Sequence, residues 1–327
     1  MRPHAPRNRR SPPHDIWDSG RKPRPVRSEH QNLLLFGTYS VCGALVFVGA
    51  KLGMPDVPPL LFAALRLDIA GVALVAAAGW RLDYWRPRTR RDLLGVLVVG
   101  VFTLGVMNAV LFAGQQHVTS ALGAIAYSFM PVLTTGFAIL LLPTASLDRV
   151  DALGILLGFV GVGIVARPST TALHADRVLG FGLMLGSVAI FAFGTVLTQR
   201  VEPAIPRLSL TAWGVVLAAV VNHGIASVFG HPLTAIAWTP TAVAGVLVES
   251  LLATAILYAV HFELIDRIGP ARTSLTFYLQ PIVAAPLGLV LFDTRLATVS
   301  LVGFLVIFTG FALIERRVLF DSVRSAT

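Results

Sequence analysis

Arg66, in the run 59–79, and Glu249, in the run 241–263, are charged residues standing inside long apolar runs of this 327-residue chain. If both runs are helices entered from the same side, Glu249 lies roughly 12 Å and Arg66 roughly 10 Å from that side, at about 1.5 Å per residue. A carboxylate that deep in an apolar layer is costly unless it is protonated, paired or wet, so it is a functional candidate. Two readings stay open. In one, Arg66 and Glu249 pair and only satisfy charge. In the other, Glu249 lines a cavity and exchanges a proton for a bound solute. Asp68 is deeper, but two residues along a helix from Arg66 it faces another way and is a poor partner for it.

Other chemistries have no residues to carry them. A P-loop needs Gly-Lys-Ser/Thr, yet Lys22 is followed by Pro23 and Lys51 by Leu52. No HExxH occurs and the eight histidines are scattered, so no metal and no cofactor is expected. The single Cys42 excludes an intramolecular disulfide and a cysteine metal cluster. A membrane-embedded enzyme acting on a lipid or isoprenoid would need clustered acids, whereas the acids here are mostly single and near run ends. That enzyme is the weaker alternative.

Composition defines the elements that must position Arg66 and Glu249. Hydrophobic residues make up 55% and charged ones only 13%, against about 25% charged in a soluble domain. Mean hydropathy is +0.75. Apolar runs of about 20 residues, enough to cross about 30 Å as helix, fall at 33–51, 59–79, 93–113, 119–142, 149–166, 179–199, 208–229, 241–263, 270–292 and 298–315. Between them stand Met54-Pro55, Arg86-Pro87, Arg167-Pro168, Glu202-Pro203, His231-Pro232 and Gly269-Pro270. If residues 1–30 are cytoplasmic, only Lys51, Arg167, Arg177 and Arg295 among the Lys and Arg fall on the outer side, with Arg66 inside a span. That asymmetry supports ten spans with both termini in the cytoplasm. Residues 1–30 are rich in Arg and Pro and read as a disordered basic tail held inside by its charge, not as a nucleic-acid arm. Residues 318–327 form the second cytoplasmic tail. The chain reads as a multi-pass protein of the cytoplasmic membrane whose partner surface is the lipid bilayer.

Ten spans divide into two fives. Shifting the sequence by 150 residues lays Gly95-Val96-Leu97-Val98 on Gly245-Val246-Leu247-Val248, Ala109-Val110 on Ala259-Val260, Phe112 on Phe262 and Pro131 on Pro281. With one residue deleted, Gly154 meets Gly303 and Gly161 meets Gly310. Five spans is an odd number, so the halves enter the membrane in opposite directions, an arrangement typical of secondary transporters. The fold class expected is all-α, with ten transmembrane helices in two inverted five-helix repeats.

Several motifs carry a family likeness: Ala63-Ala64-Leu65-Arg66, Thr119-Ser120-Ala121 leading into Pro131, Gly269-Pro270-Ala271-Arg272 leading into Tyr278-Leu279-Gln280-Pro281, and the glycine-marked last helix of each half. With them the chain resembles the drug/metabolite transporter superfamily, specifically the ten-helix transporters with two EamA repeats, here 31–168 and 176–317. Where that family usually has Gly-Glu at the end of the ninth helix, this chain has Phe292-Asp293. The resemblance implies a transporter, not an enzyme, that moves a small metabolite, amino acid or drug by alternating access. An exporter is the expectation, with protons as the candidate coupling ion and a cavity bounded by helices 3, 4, 8 and 9.

Pro131 and Pro281 lie near the middle of their spans and free the carbonyls of Tyr127 and Phe277. They are candidate hinges, with a static kink as the alternative. Tyr127, Tyr278 and Gln280 beside them are candidate wall residues. Gly154, Gly158 and Gly161, and Gly303 and Gly310, form close-packing faces, either between the halves or between subunits of a homo-oligomer. Asn222 and His223 read as interhelical hydrogen-bonding residues.

Overall fold

The structure is a computed structural model that describes residues 27–141, 149–166, 172–268, 273, 276–293, 297–314 and 316. Most of the basic tail, the Gly269-Pro270 break and the C-terminal tail lie outside the described residues. Among the described residues there are ten long helical segments and no strand. They are α1 (Arg27–Gly53), α2 (Pro59–Arg81), α3 (Arg90–Gln115), α4 (Ser120–Leu141), α5 (Arg149–Ala166), α6 (Ala172–Val201), α7 (Arg207–Val228), α8 (240–268), α9 (Thr276–Phe292) and α10 (Thr298–Ile314). Seven of them are long and apolar enough to cross a membrane, while α5, α9 and α10 contain shorter apolar stretches.

Helix ends overrun the apolar runs. Helix α1 begins at Arg27, so the last residues assigned to the tail belong to it, and α8 continues to Ile268. Hydropathy marks only the part of a helix that lies in hydrocarbon, whereas backbone hydrogen bonding continues into polar sequence.

The inverted repeat has a backbone signature. Helix α3 contains a π-helical stretch at Val98–Val106, and α8 contains one at Val248–Ile256, 150 residues further on. In each, a threonine hydroxyl donates to the carbonyl five residues back, Thr103 to Val98 at 3.3 Å and Thr254 to Glu249 at 2.7 Å. Thr89 and Thr239 cap the N-termini of α3 and α8. Each half also docks its first interhelical loop on the other half. Asp92, at the start of α3, accepts hydrogen bonds from the amides of Ala204 and Ile205 in the α6–α7 loop, at 3.0 and 2.9 Å. Asp56, in the α1–α2 loop, accepts from the hydroxyls of Thr239 and Thr241 at the start of α8. Tyr84 also donates to Asp92, and this bond holds the Tyr84 phenol above its ordinary pKa.

The two matched prolines are treated differently. Helix α4 is interrupted at Ser128 and Phe129, and a new helical segment starts at Met130. Pro131 therefore sits in a first turn, where its missing N–H leaves no bond unmade. The hydroxyl of Ser128 donates to the carbonyl of Ile125 at 2.6 Å. Helix α9, in contrast, runs through both Pro281 and Pro286.

Helices α5 and α10 pack through glycine. A Cβ at Gly161 would lie 2.7 Å from the carbonyl oxygen of Gly303, and one at Gly310 would lie 2.9 Å from the backbone nitrogen of Gly158. Gly154 contacts Gly310, so all five glycines singled out from the sequence meet in or beside this one seam. The seam joins the two halves of one chain, so any homo-oligomer must use another face. Gly161→Ala is expected to lower the thermal unfolding temperature in detergent, by the roughly 1–3 kcal/mol that overpacking costs. Gly163→Ala, which meets nothing within 4 Å, should be neutral or stabilising, since Ala is a better helix former than Gly by about 1 kcal/mol. Equal effects from the two would show that the seam is not closely packed.

Candidate functional site

Arg66 on α2 and Glu249 on α8 are in contact, across the two halves of the chain. The Arg66 Nη1 donates to Glu249 Oε2 at 2.9 Å, and Nη2 donates to Oδ1 of Asn108 on α3. Asn108 is itself oriented by donating from Nδ2 to the carbonyl of Leu104. The guanidinium carbon stands 4.9 Å from the centroid of the Phe112 ring, a cation–π arrangement. Arg66 is 3% exposed, and Glu249 and Asn108 are fully buried. Two polar atoms in this cluster have no hydrogen-bond partner, Arg66 Nε and Glu249 Oε1.

Helix α1 makes room for this cluster. A Cβ at Gly49 would come within 3.1 Å of both Cγ and Oε1 of Glu249. Four residues along α8, a Cβ at Gly245 would lie 2.6 Å from the backbone nitrogen of Gly53, so α1 and α8 cross at near van der Waals contact. Gly43 is pressed against the Gln280 side chain of α9 in the same way. Helix α1 thus lies against α8 and α9, and the Ser120 hydroxyl at the start of α4 donates to the carbonyl of Phe47 at 2.7 Å. Helix α1 therefore packs among helices 3, 4, 8 and 9, the four expected to bound a cavity. Its signal was present in the sequence as Gly43, Gly49 and Gly53, and Asn108 as a single amide in an apolar run, but neither was singled out.

The remaining candidates are distributed around this centre. Tyr127 is buried on α4, where its hydroxyl lies 3.2 Å from Met107 Sδ and 3.3 Å from the Ser187 hydroxyl of α6. Its ring packs edge-on against Phe47, at 5.4 Å between centroids. Gln280 is buried against α1. Tyr278 lies on α9, with its side chain outside the described residues. Asn222 on α7 donates to the carbonyl of Gly105 on α3 at 3.1 Å. His223 Nε2 is 2.8 Å from Asp68 Oδ2, so Asp68 pairs with α7 and not with Arg66. Among the described residues, no three His, Cys, Asp or Glu side chains come together as a metal site.

The EamA-like transporter family model matches residues 32–167 and again residues 178–316. The chain is 29% identical to the uncharacterized inner membrane transporter YedA of Escherichia coli K12, over 78% of this chain and 80% of that relative. It is 25% identical to the uncharacterized transporter YvbV of Bacillus subtilis, over 82% of this chain and 86% of YvbV. Identity to protein PecM of Dickeya dadantii is also 25%, over 88% and 93% of the two chains. One solved crystal structure superposes with a TM-score of 0.60 at 18% identity, covering 87% of this chain and 97% of the other, a likeness of fold.

Removing one member of the buried pair leaves the other charge uncompensated, at a cost of about 3–5 kcal/mol. Arg66→Ala should therefore lower thermal stability in detergent strongly, and Arg66→Ala combined with Glu249→Gln should recover much of the loss. An additive double variant would mean that the two charges are not coupled in the folded protein.

Proposed function

Because the chain belongs to the EamA-like transporter family, we propose that it exports a small metabolite, amino acid or drug across the cytoplasmic membrane by alternating access, with Glu249 exchanging the driving proton. The protein is a multi-pass membrane transporter, not an enzyme. The observation that carries the finer reading is the fully buried Arg66–Glu249 pair, which ties a residue of the first half to a residue of the second. Alternating access requires the halves to move against each other, and an ion pair across them is a point where protonation can change that motion. Neutralising Glu249 removes its Coulomb attraction to Arg66 and weakens the hydrogen bond between them. Deprotonation restores both.

The backbone around the pair favours such motion. Glu249 is the second residue of the π-helical stretch in α8, and the matching stretch in α3 ends two residues before Asn108. Stretches of this kind are frequent at functional sites in helices. The interruption before Pro131 and the paired prolines of α9 supply further places where a helix can bend. In this reading Tyr127, Tyr278 and Gln280 line the path, and both termini face the cytoplasm, as the Lys and Arg distribution favours.

The substrate is first sought by comparing metabolites inside and outside cells with and without the protein, then tested in proteoliposomes. Glu249→Gln should abolish accumulation driven by a pH gradient while substrate exchange continues. A Glu249→Gln protein that still builds a substrate gradient from a pH gradient would sink the coupling role. Pro131→Ala and Pro281→Ala are expected to slow transport several-fold with normal membrane insertion. Wild-type rates in both would remove the hinge role.

A further inference from the structure

At the end of the bundle opposite the arginine-rich 81–91 segment, a cavity of about 330 Å³ opens between α1, the α3–α4 loop and the last residue of α9. Lys51, Gln116, His117, Thr119, Ser120 and Phe292 line it. A smaller cavity of about 160 Å³ shares His117, Val118 and Thr119 with it and adds Arg177. We propose that these joined cavities form an anion-selecting vestibule at the outer end of the transport path, and that the transported solute carries a carboxylate or another oxyanion. The assignment rests on the transporter reading above and narrows its substrate class.

The lining is one-sided in charge. Lys51 and Arg177 supply two cations, His117 supplies ring nitrogens, and among the described residues no Asp or Glu lines either cavity. The acids next along the chain, Asp293 after Phe292 and Asp176 before Arg177, are exposed. Lys51 donates to the carbonyl of Gln115 at 2.7 Å, which takes one of its three N–H groups and fixes the ammonium at the cavity wall. Arg177 reaches the carbonyl of Val165 only at 3.5 Å. Helix α4 begins at the wall with Ser120, so the positive end of its dipole adds to the same field.

The location strengthens the case. The charge bias of the chain removes cations from this side, leaving only Lys51, Arg167, Arg177 and Arg295, and the two of these that are among the described residues, Lys51 and Arg177, line the joined cavities. Seven residues along α3 separate Gln115, beside Lys51, from Asn108, which holds Arg66. That is roughly 10 Å of helix, so the vestibule stands above the buried pair. Arg66 and Glu249 neutralise each other there and do not oppose the field. A low-dielectric cleft lined by one sign of charge concentrates ions of the opposite sign.

The test reads the field directly. Gln116→Cys is introduced in a Cys42→Ala background of the full-length protein in detergent, where both ends are accessible. The new thiol is reacted with sulfonatoethyl methanethiosulfonate, an anion, and with trimethylammonioethyl methanethiosulfonate, a cation. Relative to a free thiol, the anionic reagent should be favoured by roughly three- to tenfold. Lys51→Gln should cut the preference, Lys51→Arg should keep it, and raised salt should reduce it. Equal reactivity, or a preference for the cation, overturns the vestibule even if the Lys51 variants fail to fold. Proton-coupled transport of a cationic solute would overturn the substrate class while leaving the transporter reading intact. An intact anionic preference in a protein that moves no solute in proteoliposomes would instead count against the transporter reading.

Discussion

The constraint on which the rest of the structure depends is the cost of holding Arg66 and Glu249 away from water. Each charge alone in that place would be destabilising by several kcal/mol, so the fold must bring them together. They come from different halves of the chain and lie 183 residues apart. Everything near them serves that meeting: Asn108 turns the guanidinium, Phe112 faces it, and Gly49 leaves space for the carboxylate. The pair is not completely satisfied, since Arg66 Nε and Glu249 Oε1 lack partners. A cluster that is neutral overall but short of hydrogen bonds is held in place by packing as well as by its own bonds.

Around that centre, the inverted repeat acts as a mutual clasp. Asp92 holds the α6–α7 loop on the start of α3, and Asp56 holds the start of α8 on the α1–α2 loop. The two clasps sit at opposite ends of the bundle, as inversion requires. They anchor the starting ends of the two helices that carry π-helical stretches. Glycine supplies the complementary feature. Where α5 meets α10 at Gly161 and Gly303, and where α1 meets α8 at Gly53 and Gly245, backbone touches backbone. Small residues matter here because lipid offers no hydrophobic force between helices, and close van der Waals contact must replace it.

The two prolines illustrate how one sequence feature yields two local structures. Both fall at the same place in the repeat and both lack an N–H. In α4 the chain resolves this by ending one helical segment and starting another, with the Ser128 hydroxyl bonding the carbonyl of Ile125. In α9 the helix continues across the proline. The flanking residues differ, Ser128 three before Pro131 and Tyr278 three before Pro281, so the matched proline alone did not determine the local structure.

What the sequence by itself determined was the class of fold, the number of helices, their inverted division and the presence of a costly carboxylate at depth. Hydrocarbon thickness and the charge bias act on every residue in the same way, so length, hydropathy and the placement of Arg and Lys are readable without knowing any contact. The glycine faces were legible for a similar reason, because helical spacing puts Gly154, Gly158 and Gly161 on one side. The tertiary structure alone decided partners. That Glu249 meets Arg66, that Asp68 turns to His223, that Asn108 joins the cluster and that α1 lies among α4, α8 and α9 all depend on which helix faces which. Helix spacing fixes the direction of a side chain relative to its own axis. The neighbour it meets is set by the packing of ten helices together, and no single run of residues encodes that.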